Sequence, residues 1–255
     1  MIAPQKISID TPRLIVSDFC VEDFPAFSSL FASLNRANQV WFNAHASDPE
    51  SIKTFFNQIM SNQQDTPRQT YRLAIRRKDE ASEATTVIGY VSLCDIWSQE
   101  EGRPDTGVLI DPCYQRGGYA REARLAIGHL ATQLGLEKLF CDIKISNIAS
   151  ITNVVGMGYD RVMREGNPAI IKTTTIDGVE DWYRYQISKE TLLEKLPHLV
   201  QGLADRHWAG KVSETYKSNS SIDDVFKVCS TADASCEPMR LPVLRQKIRE
   251  NRLDF

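Results

Sequence analysis

Along the first half of the chain, short runs that alternate apolar and polar residues are separated by longer stretches whose apolar positions recur every three or four residues. "ISID" and "LIVSDF", β-branched on either side of Pro12, predict a strand, a turn and a second strand. Phe24, Phe27, Leu30, Phe31 and Leu34 then fall at helical intervals, with Asp23 near the start. A second helix is expected over "DPESIKTFFNQIMSNQQ", where Asp48 can cap, Pro49 suits the first turn, and Ile52, Phe55, Phe56 and Ile59 share one face.

"TYRLAIRR" and "TTVIGYVSLCDI" are strand-like and form a hairpin across the charged "KDEASEA". After the exposed loop "EEGRPD" comes the strand "TGVLID", then a long helix from Tyr119 to Leu134, then the strand "KLFCDIKI". "NIASITNVVGMGY" predicts a short helix stopped by Gly156 and Gly158. "AIIKTTTIDGVEDWYRYQIS" predicts two strands turning at Asp177-Gly178. Beyond them the pattern changes: "KETLLEKLPHLVQGL" is an amphipathic helix broken at Pro197, "SETYKSNSSIDD" is polar, and "LPVLRQKIRENRLDF" is a closing helix with a basic face. No internal repeat is present. This order predicts an α+β fold, a central, partly antiparallel sheet flanked by helices.

Composition adds exclusions. The 255 residues are 42% hydrophobic and 25% charged, ample for a core, and the net charge of −3 gives no basic field of the kind that nucleic acid selects. The start, "MIAPQKISID", lacks the pattern of a signal peptide, and no apolar run approaches the roughly 18 residues of a membrane span. Six cysteines lie far apart with no Cys-x-x-Cys pair. Four sit in apolar stretches, which reads as buried free thiols and a cytoplasmic setting.

The chemistry concentrates in "GVLIDPCYQRGGYAREARLAIGHLATQLGL", residues 107–136. A helix that begins at a glycine-rich turn leaves its first backbone N–H groups unpaired, and with the helix dipole these form an anion site. Gly117 and Gly118 remove the side chains that would hold a phosphate away. A plain strand-to-helix turn, its glycines relieving strain, is the other reading at this stage. The segment is neither a Walker motif nor a Gly-x-Gly-x-x-Gly dinucleotide turn.

"DTGVLIDPCYQRGGYAREA" resembles the signature of GNAT-superfamily N-acetyltransferases, especially the group typified by ribosomal-protein-alanine acetyltransferases. Gln115, Gly118 and Ala120 match the superfamily's acetyl-CoA loop, and Arg116 departs from it where glycine is common. "DTPRLIVSDF", "VIGYVSL" and "NIASITNVVGMGYDRV" resemble further segments of the group in the right order. The resemblance covers about residues 8–188. It implies a GNAT domain over residues 1–188, with a mixed, mostly antiparallel sheet, and a helical C-terminal extension over 189–255 that serves as appendage, lid or dimer contact.

The resemblance further implies acetyl transfer from acetyl-CoA to a primary amine by direct attack in a ternary complex, without a metal or a covalent enzyme intermediate. The pyrophosphate would rest on backbone N–H groups of Arg116, Gly117, Gly118, Tyr119, Ala120 and Arg121. Val108, Leu109 and Ile110 would splay from the neighbouring strand and free N–H groups for the pantetheine arm and the thioester carbonyl. One such donor is worth about 3–4 kcal/mol to a tetrahedral intermediate. Asn147 would bond the CoA arm, with a helix N-cap as its other reading. Asp105 is the candidate base, or else a solvated loop residue beside Arg103 and Pro104. Ser150 or Tyr159 would protonate the departing thiolate, the alternatives being a surface hydroxyl and a core aromatic. His45 and His129 read as structural.

The acceptor amine must be uncharged to attack. Deprotonation costs about 1.4 kcal/mol at pH 7 for an α-amine and about 4.6 kcal/mol for a lysine. Its pocket is expected from residues 35–50, 97–103 and 167–177, with Trp41, Phe42 and Trp97 as lining or core. Neither a nucleic-acid nor a membrane partner is expected. Two rival readings are a catalytically idle acyl-CoA-binding domain and an interaction protein acting through its C-terminal extension.

Overall fold

Alternation in the strands is satisfied by burial against both faces of one sheet. The computed structural model describes residues 6–36, 48–78, 85–96, 103–175, 178–208 and 225–231. Its strands are β1 (Lys6–Asp10), β2 (Leu14–Ser17), β3 (Tyr71–Lys78), β4 (Thr85–Cys94), β5 (Asp105–Ile110), β6 (Lys138–Lys144), the short β7 (Asp160–Arg161), β8 (Met163–Arg164) and β9 (Asn167–Pro168), then β10 (Ile170–Thr175), β11 (Gly178–Ser188) and β12 (Lys227–Thr231). The helices are α1 (Phe24–Arg36), α2 (Pro49–Asn62), α3 (Tyr119–Gln133), α4 (Ile148–Val155) and α5 (Lys189–Leu203). The main sheet runs β10-β11-β6-β5-β4-β3-β2-β1-β12, with β7 also on β11. Among the described residues its pairings are antiparallel except β5 with β6. This is the expected GNAT-like mixed sheet flanked by helices.

Leu73 and Ile75 of β3 face a core shared with α3 and α5, whereas Ala74 between them faces the aromatic cluster of α1 and α2. A bulge opposite Ile75 and Arg76 lets Ile88 join the same face as Val91 and Leu93. In that strand Gly89 lies opposite Ile110, and a β-carbon there would fall on the Leu109 carbonyl oxygen. The backbones of β4 and β5 can approach only because the side chain is missing. Asp48 caps α2 as expected, accepting from the Glu50 and Ser51 amides at 3.0 Å each.

The C-terminal residues depart from expectation in three ways. Pro197 does not break its helix, which runs through it from Lys189 to Leu203. Pro197 and Leu193, whose carbonyl loses its partner, are both exposed, so water can take that carbonyl. Leu192, Leu196, Val200 and Leu203 are buried in the main core, and a π-helical turn over Ala204–Trp208 continues it. A strand, β12, was not anticipated at all and pairs antiparallel with β1. The expected closing helix, His45, Trp41, Phe42 and Trp97 lie outside the described residues. Five cysteines are free thiols, but only Cys141 is buried; Cys20 and Cys113 are exposed because their apolar neighbours lie on turns. No described helix is long and apolar enough to cross a membrane.

One buried carboxylate joins the pieces. Glu122, on the first turn of α3, is fully buried and accepts from the Thr11 hydroxyl at 2.6 Å and the Arg13 amide at 3.0 Å. The Arg13 guanidinium pairs with it through Nε at 2.8 Å and Nη2 at 2.7 Å, and the Trp208 indole donates at 3.1 Å. Arg13 also donates to the Gly117 carbonyl at 2.8 Å and stacks over Tyr119, 4.4 Å from the ring centre. The turn before α3 is thereby held in a conformation with Arg116 at φ 65° and Gly118 at φ 77°.

Removing one partner of a buried ion pair leaves the other uncompensated. Glu122→Gln is expected to lower stability by about 3 kcal/mol, read as the shift of the urea unfolding midpoint; an unchanged midpoint would refute the anchoring role. Arg116 is a side-chain-bearing residue in left-handed backbone. Arg116→Gly should therefore raise stability by about 0.5–1 kcal/mol, and a loss in the same assay would show that the turn is not strained.

Candidate active site

The turn and the strand before it open on a common space. β5 and β6 pair at one position only, Asp105 with Phe140, flanked by the Phe140 amide on the Pro104 carbonyl at 2.8 Å and the Thr106 hydroxyl on the Phe140 carbonyl at 3.1 Å. Beyond that point the strands part. A parallel ladder that ends early leaves its main-chain groups facing the gap. The gap widens into a cleft of about 580 Å³ with Val108, Leu109 and Ile110 along one wall.

At its far end stands the start of α3. Gly118 is the N-cap and no side chain caps the helix, so the amides of Tyr119, Ala120 and Arg121 have no intrahelical acceptor and meet the cleft with the positive end of the dipole. The left-handed Gly118 lets the chain turn sharply into the helix. A β-carbon there would lie 2.6 Å from the His207 ring. Gln115 and Arg116 line the same end; the Gln115 side-chain Nε2 donates to the Ile110 carbonyl at 3.0 Å, bracing the turn against β5.

The opposite wall is α4. Asn147 caps it, its side-chain oxygen accepting from the Ser150 amide at 3.1 Å, and both residues line the cleft with Ala149 and Asn153. Capping engages only the Asn147 oxygen. The cleft therefore gathers Val108, Leu109, Ile110, Gln115, Arg116, Gly118, Tyr119, Ala120, Arg121, Asn147 and Ser150. Gly117 is not among its lining residues; its carbonyl is turned to Arg13.

Two expected residues lie elsewhere. Asp105 sits at the point where β5 and β6 part, about 10 Å along the strand from Val108. Burial, with the neighbouring Asp142 carboxylate, pushes its pKa up to about 7 against the pull of Arg124 and Arg184. Asp142 is itself held by Arg184 at 2.8 and 2.6 Å. Tyr159 does not reach the cleft: it is 3% exposed in the main core, and burial pushes its hydroxyl pKa up to about 12. The chain leaving α4 turns the ring into the core, on the side of Thr106 and Arg124. His129 is buried in α3 beside Phe226, with 6.0 Å between ring centres.

Sequence reasoning missed Leu203, Arg206 and His207, which complete the cleft from beyond the strand core. They sit in no recognised motif. It also missed the role of Glu122, although that residue stood inside the quoted signature. Among the described residues no group of three or more His, Cys, Asp or Glu side chains is placed to hold a metal ion.

The chain matches the family model described as "Acetyltransferase (GNAT) domain" over residues 13–159. By sequence, no curated protein matches it. Among solved structures it is similar to Mycobacterium smegmatis RimJ in complex with CoA-disulfide, at a TM-score of 0.63 and 14% identity over 79% of this chain and 95% of that one. The ribosomal-protein-S5-alanine acetyltransferase of Vibrio fischeri gives 0.58 and 16%, over 72% and 97% of the two chains. Spermidine N-acetyltransferase of Vibrio cholerae, in complex with CoA and spermine, gives 0.56 and 16%, over 71% and 98%. At these identities the structures speak for the fold, while the family match spans more than half of the sequence: the chain belongs to the GNAT acetyltransferase family and is an acyltransferase.

Proposed function

We propose that the protein transfers an acetyl group from acetyl-CoA to a primary amine, small or on a peptide, by direct attack within a ternary complex. The observation that carries this reading is the parting of β5 and β6 into a cleft that ends on the uncapped, glycine-started helix α3. In this reading the pyrophosphate rests on the amides from Arg116 to Arg121, and the pantetheine arm lies along Val108, Leu109 and Ile110 in place of the missing strand partner. The side-chain nitrogen of Asn147 bonds the arm, since capping leaves it available. Free thiols at five described cysteines accord with action in the cytoplasm.

The acceptor approaches the thioester from the side of Asp105, which stands outside the cleft, so the acceptor's proton passes to that carboxylate through water. A carboxylate with a pKa of about 7 is matched to removing a proton from an ammonium group at neutral pH, which an ordinary aspartate is not. Nitrogen attack on the thioester carbon gives a tetrahedral intermediate whose oxygen accepts from the free amides of β5. Collapse breaks the carbon–sulfur bond, and Ser150, on the facing helix, returns a proton to the thiolate.

The test is release of free CoA thiol from acetyl-CoA across α-amino peptides, lysine peptides, polyamines and aminoglycosides. Release is expected with one amine class and is abolished in Gly118→Glu, where a side chain would enter the space of His207 and the anion site; no release with any amine would sink the transferase reading. Because the base works only when ionised, kcat at saturating acceptor is expected to rise with pH through about 7. Asp105→Asn should lower kcat about 100-fold and remove that acidic limb. A limb that survives the substitution would assign it to another group.

A further inference from the structure

The family match ends at residue 159, yet the cleft is not complete until residues 203–207 close it. Leu203 ends α5, and Arg206 and His207 belong to the π-helical turn after it, a form that often marks a functional site. The turn is fixed by its neighbour: Trp208 is fully buried and its indole is bonded to Glu122, the carboxylate that also holds Arg13 and, through it, the Gly117 carbonyl. One anchor therefore sets both the glycine turn and the segment that faces it.

What the turn brings to the phosphate end of the cleft is one cation, Arg206, and beside it an imidazole able to donate a hydrogen bond. Arg206 and His207 line the cleft with Arg116 and Arg121, and His207 lies directly against Gly118. No carboxylate among the described residues pairs with Arg116, Arg121 or Arg206. The pKa of Arg121 is pushed down, by burial and then by Arg206, which marks two like charges held close without an anion between them. That of His207 is also pushed down, by burial first, then by Arg13 and Arg206, with Glu122 pulling the other way and Arg121 adding to the push. Such a cluster at an uncapped helix start is complementary to a ligand with several phosphate charges.

We propose that the C-terminal extension is part of the cosubstrate site: Arg206 and His207 close the cradle opposite the α3 amides and bind the phosphate groups of CoA. The proposal rests on the acetyl-CoA reading above and adds to it that the glycine turn and the start of α3 alone are an incomplete site in this chain. Occupancy would then hold the segment from α5 to Trp208 in place, since ligand and anchor grip the same turn.

The experiment is calorimetric titration of the full chain with acetyl-CoA and with adenosine 3′,5′-bisphosphate, which carries phosphates but no thioester arm. Arg206→Gln and His207→Gln are compared with wild type, alongside Arg206→Lys, each with its thermal midpoint to establish folding. Each glutamine variant is expected to weaken both ligands about tenfold, with Arg206→Lys recovering most of the loss. The affinity of wild type should also fall more steeply with salt than that of the double variant. Unchanged affinity in the double variant, tighter binding, or a loss seen with acetyl-CoA but not with the bisphosphate overturns the proposal while leaving the cosubstrate reading in place. Wild type that binds neither ligand overturns both.

Discussion

A carboxylate with no exposed surface must be matched by donors from somewhere, and in this chain it draws them from two distant parts of the sequence. Glu122 receives Thr11 and Arg13 from the first hairpin and Trp208 from the far side of α5. A buried ion pair is seldom a net gain in stability over an apolar pair of the same size, because desolvation offsets attraction. Its value lies in geometry. The donors can be satisfied in one arrangement, and that arrangement fixes the carbonyl of Gly117, the ring of Tyr119 and hence the direction in which the first amides of α3 point.

The cleft follows from a second constraint, the meeting of a parallel pair with a helix on each side. β5 and β6 touch at Asp105 and Phe140 and then separate, so a site forms where the sheet fails to continue. Burial at the same point raises the pKa of Asp105, and the charge balance around it is drawn from the two strands on one side, Asp142 on β6 and Arg184 on β11, and from Arg124 on α3. The main-chain wall, the helix start and the perturbed carboxylate are thus consequences of one splayed junction rather than three separate features.

Much of this was legible in the sequence. The helical spacing of Phe27, Leu30, Phe31 and Leu34, the alternation in β3 and the glycines before α3 each reflect a local rule, and local rules leave local patterns. Arg116 stood out as a departure, and its left-handed backbone explains why glycine suits that place. What could not be read came from contacts between segments far apart. Glu122 carries no sign of its partners, 109 and 111 residues upstream and 86 downstream. Arg206 and His207 lie just past an ordinary amphipathic stretch, and only the packing of α5 on the core brings them to the glycine turn. Pro197 was read as a break because its missing N–H is a local fact, whereas the exposure that makes the loss tolerable is a tertiary one.

The placing of β12 has a consequence for the order of assembly. β1 comes first among the described strands in chain order, and its outer edge is covered by the last of them. Until residues 227–231 emerge, β1 presents a row of unpaired backbone groups, a template for any other extended segment nearby. With β12 in place the edge strand among the described residues is five residues long and begins with Lys227, short and charged at one end. The sheet is therefore guarded at that side only once residues 227–231 have been made, and a nascent chain that stops before them is the form most open to mispairing.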